Sequence, residues 1–340
     1  MYSFLNDYSE GAHPRILDAL YKLNKEQNIG YGKDNHCIRA KEAIKKHLLK
    51  DDVDIHFIPG GTQANLLVIS SFLRPHECVI AADTGHINVH ETGAIEATGH
   101  KVVIMPHEDG KLTPASIEKA IKYHTDEHMV KPGMVYLSNT TELGTIYNKA
   151  ELTAIRELCN KFGLLLFLDG ARLGSALTCE SNDVKISDLA NLTDVFTIGG
   201  TKNGALLGEA LVIARDDLKE DFRYLIKQRG AMMAKGFVLG LQFEELFRDN
   251  LYFTLASHAN DMAEKIADTL KNNGYSFYAT PVTNQLFPIM PNILLKELSK
   301  EYNFMIDHEI DDNYSVIRLV TSWATSEESV DKLCEFLSTK

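Results

Sequence analysis

The chain holds 340 residues, with 35 Lys+Arg against 47 Asp+Glu, a net charge of −12 and 44% hydrophobic residues. That length can bury a large core, and the composition is ordinary for a globular protein rather than a disordered chain. No Lys/Arg block offsets the acidic balance, which argues against a nucleic-acid partner, and no apolar run approaches the roughly 20 residues of a membrane span.

Taken in chain order, the hydrophobic periodicity predicts helices over 14–27 and 37–49, separated by the glycine-punctuated loop Asn28-Ile29-Gly30-Tyr31-Gly32-Lys33-Asp34. Short apolar strands then alternate with helices. Strands are expected at 54–58, 77–81, 101–105, 134–137, 164–168, 195–198 and 210–213. The intervening helices are expected at 63–72, 90–98, 114–124 and 150–162. This alternation predicts an α/β protein with a mostly parallel sheet flanked by helices. Past Asp216 the pattern changes to a long helical stretch over 218–247 and another helix over 255–272. Short strands around 275–278, 285–289 and 315–320 follow. A last helix is expected behind a capping box, Thr325-x-x-Glu328. The expected division is a large domain over 1–250, including the N-terminal segment, and a small C-terminal α/β domain over 251–340.

Met1–Asp7 has neither a basic nor an apolar leader-like run, and Cys37, Cys78, Cys159, Cys179 and Cys334 form no C-x-x-C pattern. No signal peptide is expected, and reduced thiols in the cytoplasm are.

In an open α/β sheet, ligands sit beyond the carboxyl ends of the strands. Three such ends carry unusual residues. Pro59-Gly60-Gly61-Thr62-Gln63-Ala64-Asn65 joins a strand to a helix whose first N–H groups can meet an anion, although an ordinary tight turn reads the same way. The apolar strand before Asp169-Gly170-Ala171-Arg172 delivers a carboxylate into the crevice, unless Asp169 merely caps a helix. The third is Ile198-Gly199-Gly200-Thr201-Lys202-Asn203-Gly204, a lysine closing a strand among small residues. Most single lysines are solvated, but desolvation here would lower the amine's pKa and make it a nucleophile. An anion cradle, a strand-end Asp and a strand-end Lys together meet the needs of pyridoxal 5'-phosphate: a partner for its ring nitrogen, an amine for its aldehyde and a seat for its phosphate.

These stretches resemble the threonine aldolase branch of the fold-type I pyridoxal-phosphate enzymes, the aspartate-aminotransferase-like fold, over nearly the whole chain. The resemblance rests on Tyr31-Gly32-x-Asp34, Gly60-Gly61-Thr62-Gln63-Ala64-Asn65, His86 with Glu91, Asp169-Gly170-Ala171-Arg172-Leu173, Thr201-Lys202-Asn203-Gly204 and Arg318-Leu319-Val320-Thr321. It implies Lys202 as the lysine that condenses with the cofactor, Asp169 as the ring-nitrogen partner and His86 as the residue stacked on the ring. Gly61 and Thr62 would hold the phosphate, and Arg172 and Arg318 would fork onto the substrate carboxylate. Tyr31 and Lys227 would reach a neighbouring subunit's site, in a homodimer or homotetramer.

Three departures bear on specificity and on the base. Asn6 stands in the substrate-binding slot where the family often has a Ser that contacts the carboxylate, Ser138-Asn139-Thr140-Thr141 replaces a Glu-Asn-Thr-His motif, and Ser322-Trp323 follows Thr321 where His is common. The implied reaction is retro-aldol cleavage of a small β-hydroxy-α-amino acid, L-threonine or L-allo-threonine, to glycine and acetaldehyde. His86, Glu91 or a water is the candidate base. A β-eliminating amino-acid lyase or an aminotransferase is the alternative. His86/His90 and His124/His128 have helical metal-ligand spacing but no evident third ligand, so no metal is expected.

Overall fold

Residues 1–339 are described by the structure, a computed structural model. The chain starts with β1 (Tyr2–Ser3), then α1 (Pro14–Leu23) and α2 (Asn35–Leu48). Asp34, from the Tyr31-Gly32-x-Asp34 motif, caps α2 by accepting from the Cys37 N–H at 2.8 Å. The alternating part follows as β2 (Asp54–Ile58), α3 (Gly61–Phe72), β3 (Glu77–Ala82), α4 (His86–Val89), β4 (Val102–Met105), α5 (Pro114–Tyr123), β5 (Lys131–Ser138), α6 (Lys149–Phe162) and β6 (Leu165–Asp169). After α7 (Leu173–Thr178) and α8 (Ile186–Leu192) come β7 (Val195–Gly199) and β8 (Glu209–Ile213).

These seven strands form one sheet in the order β2-β8-β7-β6-β5-β3-β4. Every pairing is parallel except the two made by β8, so the mostly parallel sheet matches the sequence pattern. Alternation along the strands splits the core into two layers. Val135, Leu137, Leu166, Leu168, Phe196, Ile198 and Val212 face the layer of α2 and α6. Met134, Tyr136, Leu165, Phe167, Leu211 and Ile213 face the layer of α3. Each fully buried side chain such as Phe167 contributes about 1.5–3 kcal/mol.

The rest consists of α9 (Phe222–Gln228), α10 (Phe237–Phe247), α11 (Leu251–Asn272), β9 (Gln285–Leu286), β10 (Ile289–Pro291), α12 (Asn292–Leu298), β11 (Tyr302–Asn303), β12 (Met305–Glu309), β13 (Tyr314–Val320) and α13 (Glu327–Ser338). β13 pairs antiparallel with β9, β10 and β12, and α11, α12 and α13 cover this small sheet. The N-terminal segment is threaded into it. β1 pairs with β11, Phe4 is fully buried, and the Val320 N–H donates to the Phe4 carbonyl at 2.8 Å. That anchoring delivers the next residues, Leu5 to Asp7, to the large sheet's carboxyl edge.

Five expectations are corrected. No continuous helix covers 90–98: Thr92 and Gly93 take positive φ (53° and 72°) and only a short 3₁₀ turn follows. The stretch 218–247 breaks between α9 and α10, where Gly236 packs so close that an added Cβ would lie 2.8 Å from the Gly32 nitrogen. Over 275–278 a single bridge, Phe277 to Pro288, replaces a strand, and Pro288 divides 285–289 because it has no N–H for a ladder. Ser326, rather than Thr325, caps α13 by accepting from the Ser329 N–H, while Thr325 Oγ1 accepts from Ser322. No helix among the described residues is long and apolar enough to cross a membrane.

Candidate active site

The strand parity that builds the α3 layer also aims the site. Asp169 follows Leu165 and Phe167, Ser138 follows Met134 and Tyr136, and Glu209 precedes Leu211 and Ile213. All three therefore leave the sheet on the α3 side at one edge.

Asp169 is buried and its carboxylate is held from three directions. Oδ2 accepts from Tyr136 Oη at 2.7 Å and Asn65 Nδ2 at 2.9 Å, and Oδ1 accepts from the Ala171 N–H at 2.9 Å. Asn65 Nδ2 also donates to Glu91 Oε1 at 2.7 Å, and the same oxygen meets His86 Nδ1 at 2.7 Å. The chain of bonds closes on itself. The His86 N–H donates to Glu142 Oε1 at 2.8 Å, Ser138 Oγ donates to that oxygen at 2.6 Å, and Ser138 lies 3.2 Å from Tyr136 Oη. Such a ring fixes each member by two or more bonds, as buried polar groups require. Burial pushes the Glu142 carboxyl and the Tyr136 hydroxyl upward, the latter helped by Asp169.

Lys202 sits in the turn after β7, partly buried. Desolvation and the Arg172 charge lower its pKa, against the pull of Asp7, Asp169 and Glu209. The result is an amine that loses its proton more readily than a surface lysine. Glu209 is buried nearby, with Oε1 accepting from Thr201 Oγ1 at 3.2 Å.

The glycine turn forms the N-terminus of α3. Gly60 is the cap residue, makes no side-chain cap bond, and a Cβ on either Gly60 or Gly61 would meet nothing within 4 Å. The first intrahelical bond is Ala64 N–H to Gly60 O, so the preceding N–H groups of Gly61, Thr62 and Gln63 have no acceptor within the helix. A 12-residue helix starting in free N–H groups, beside a partly buried amine and a thrice-held carboxylate, fits the phosphate, aldehyde and ring nitrogen of pyridoxal phosphate.

Arg172 and Arg318 stand close enough for the charge of Arg172 to lower the pKa of Arg318, behind the larger effect of burial. Their surroundings differ. Arg172 forks onto Asp7, Nε to Oδ2 at 2.6 Å and Nη2 to Oδ1 at 3.0 Å, with Asp7 almost wholly buried. Two prongs of the fork expected to meet a substrate carboxylate are thus engaged by Asp7. Arg318 has a buried Nε with no partner among the described residues and one long bond, Nη2 to the Leu5 carbonyl at 3.4 Å. Asn6 turns its Oδ1 to its own loop, accepting from the Tyr8 N–H and Ser9 Oγ. Tyr31 and Lys227 meet each other, with Nζ 4.9 Å from the ring centroid. Among the described residues no group of three or more His, Cys, Asp or Glu is placed to hold a metal.

Residue spacing did not single out Asp7, Tyr136, Glu142 or Glu209. Tyr136 and Glu209 carried a signal in hindsight, since each is a polar group on the α3-facing parity of a buried strand.

Among known proteins, the family model described as beta-eliminating lyase matches residues 4–291. The low specificity L-threonine aldolase of Pseudomonas aeruginosa is 32% identical over 340 residues, covering 97% of this chain and 95% of that protein. A solved structure of Leishmania major threonine aldolase is 51% identical with a TM-score of 0.99, covering 100% of this chain and 99% of that one. Aspartate aminotransferase from Thermus thermophilus, at 13% identity, shares the fold alone, with a TM-score of 0.74 over 100% of this chain and 91% of its own.

Proposed function

This chain belongs to the beta-eliminating lyase family, and we propose that it is a pyridoxal-phosphate-dependent aldolase. It cleaves L-threonine or L-allo-threonine to glycine and acetaldehyde. The observation that carries this reading is the convergence of Lys202, Asp169 and the open N-terminus of α3 on one edge and face of the sheet. Pyridoxal phosphate, when bound, supplies an electron sink for the pair released as the Cα–Cβ bond of the amino acid breaks.

The protein's own residues do the rest. Lys202 offers a readily deprotonated Nζ. Asp169 keeps a proton on the ring nitrogen, and Tyr136 and Asn65 hold the carboxylate in place for that task. The N–H groups of Gly61 and Thr62 bind the phosphate. Arg318, whose Nε has no partner among the described residues, binds the substrate carboxylate, while Arg172, anchored by Asp7, contributes the prong that Asp7 leaves free. Glu91 is fully buried beneath His86 and engages its Nδ1, which favours His86 Nε2 as the atom that takes the β-hydroxyl proton, directly or through water. Tyr31 and Lys227 serve a neighbouring subunit's site in a homodimer or homotetramer, and the enzyme works in the cytoplasm on a small amino acid.

The test is acetaldehyde release from each threonine diastereomer with added pyridoxal phosphate, followed as NADH oxidation by alcohol dehydrogenase. Release from either is the expected result. A yellow protein that forms no acetaldehyde but releases ammonia or transfers its amino group would overturn the aldolase reading.

A further inference from the structure

Glu209, the first residue of β8, has no task in that chemistry, yet the sheet seats it between the two halves of the site. Its backbone pairs with Ile58, just before the Gly60-Gly61-Thr62 turn, on one side and with Gly199, just before Thr201-Lys202, on the other. Alternation with Leu211 and Ile213 turns its side chain to the α3 face. Thr201 Oγ1 donates to Oε1 and itself accepts from the Gly208 N–H at 3.0 Å. Oε2 is buried and has no partner among the described residues. A buried oxygen left unpaired is costly, so an occupant that completes it gains affinity.

We infer that Glu209 closes the anion cradle of α3 from the β8 side, keeping its proton and donating it from Oε2 to the phosphate of the cofactor, so that phosphate binding and Glu209 ionisation exclude one another. This rests on the reading that pyridoxal phosphate occupies the site. The groups facing Glu209 bear on its charge in opposite senses. Lys202 favours the ionised form, whereas Asp169 opposes it, and Tyr252, from α11, couples to it unfavourably. Burial is the largest effect and pushes the carboxyl up to about 8. At neutral pH the side chain is therefore a donor, and a dianionic phosphate is the acceptor its position suits. An ionised carboxylate in the same place would repel it.

The experiment uses the full chain freed of cofactor by dialysis, titrated with pyridoxal phosphate and, separately, with pyridoxal, from about pH 7 to about pH 9. Affinity of the wild type for pyridoxal phosphate is expected to fall about tenfold more than that of Glu209→Gln over this range, because glutamine keeps a donor that cannot ionise. Pyridoxal, lacking the phosphate, should show no such difference. An infrared reading of the wild type needs no variant: the carbonyl band of a protonated carboxyl should persist to about pH 9 with pyridoxal phosphate bound and fade with pyridoxal. Equal pH slopes for the two proteins, or the same band behaviour with both ligands, would overturn the inference while leaving the cofactor reading intact. A wild type that takes up no pyridoxal phosphate at either pH would overturn both.

Discussion

Replacing Asp7 with alanine removes the carboxylate that grips the Arg172 guanidinium by two hydrogen bonds, at 2.6 and 3.0 Å. Side-chain exposure is 13% for Arg172 and 1% for Asp7, so water cannot take over the lost role. Breaking a buried ion pair from one side costs about 3–5 kcal/mol, mostly the penalty of leaving the other charge unpaired. Two features place Asp7→Ala in the upper part of that range. Asn284 Nδ2 also loses an acceptor at 3.0 Å, and the freed Arg172 charge faces Arg318, whose ionisation it already opposes. Against a total stability of about 5–15 kcal/mol, this is a large fraction.

The assay is urea unfolding of the wild type, Asp7→Ala, Arg172→Leu and the double variant. Each single change should lose about 3–5 kcal/mol, and the double should lose about 1–3 kcal/mol less than their sum, because it leaves no orphaned charge. Additivity to within about 0.5 kcal/mol would refute the argument. The pH dependence has a definite sign. Arg172, Lys202 and the hydrogen bonds outweigh burial and hold Asp7 below its ordinary value of 3.8. The pair therefore stabilises the fold fully above that value, and its contribution is lost as pH falls through the depressed one.

Lys202→Ala should abolish the visible absorption of bound cofactor, and an unchanged band would move the reactive amine elsewhere. Arg318→Ala should lower kcat/KM for the amino acid by roughly 10- to 100-fold, the equivalent of a charge-assisted bond, while cofactor content stays the same. Normal kinetics would relocate the carboxylate site. His56 is held at about 3 by burial, with Lys41 and Arg223 adding to the effect. The unfolded chain protonates this residue near 6.5, so stability should decline as pH falls from there toward about 3, by at most about 1.4 kcal/mol per unit. His56→Phe, which keeps the contact with Phe222, should flatten that slope between about pH 6.5 and 5, and an unaltered slope in thermal melts would refute the assignment.

Several parts of the site could be read directly because their chemistry is local. An apolar strand that ends in Asp169, a strand that ends in glycines before Lys202, and a glycine turn opening α3 each announce themselves within about ten residues. The helix ends were less legible. Asn148 and Glu151 form the reciprocal cap of α6 and Gly163 ends it in the left-handed region, as local rules require. At α13, by contrast, Thr325 and Ser326 are both competent caps. Ser326 takes the role because Thr325 is drawn into the turn with Ser322, a choice set by how β13 exits the small sheet.

The local pattern of apolar residues, turns and strand-end charges determined the α/β alternation, the mostly parallel sheet and the Lys202–Asp169 pair, since each depends on spacing along the chain. Only the tertiary structure decided who partners whom. Tyr136 and Asn65 hold Asp169 because β5, β6 and α3 are neighbours. Asp7 occupies the Arg172 fork because Phe4 is buried far along the chain against the small sheet. Glu209 lies between cradle and lysine because antiparallel β8 is inserted between β2 and β7. These contacts join residues separated by tens to hundreds of positions, and strand order, register and side-chain direction are set by collective burial of the whole core rather than by any local segment.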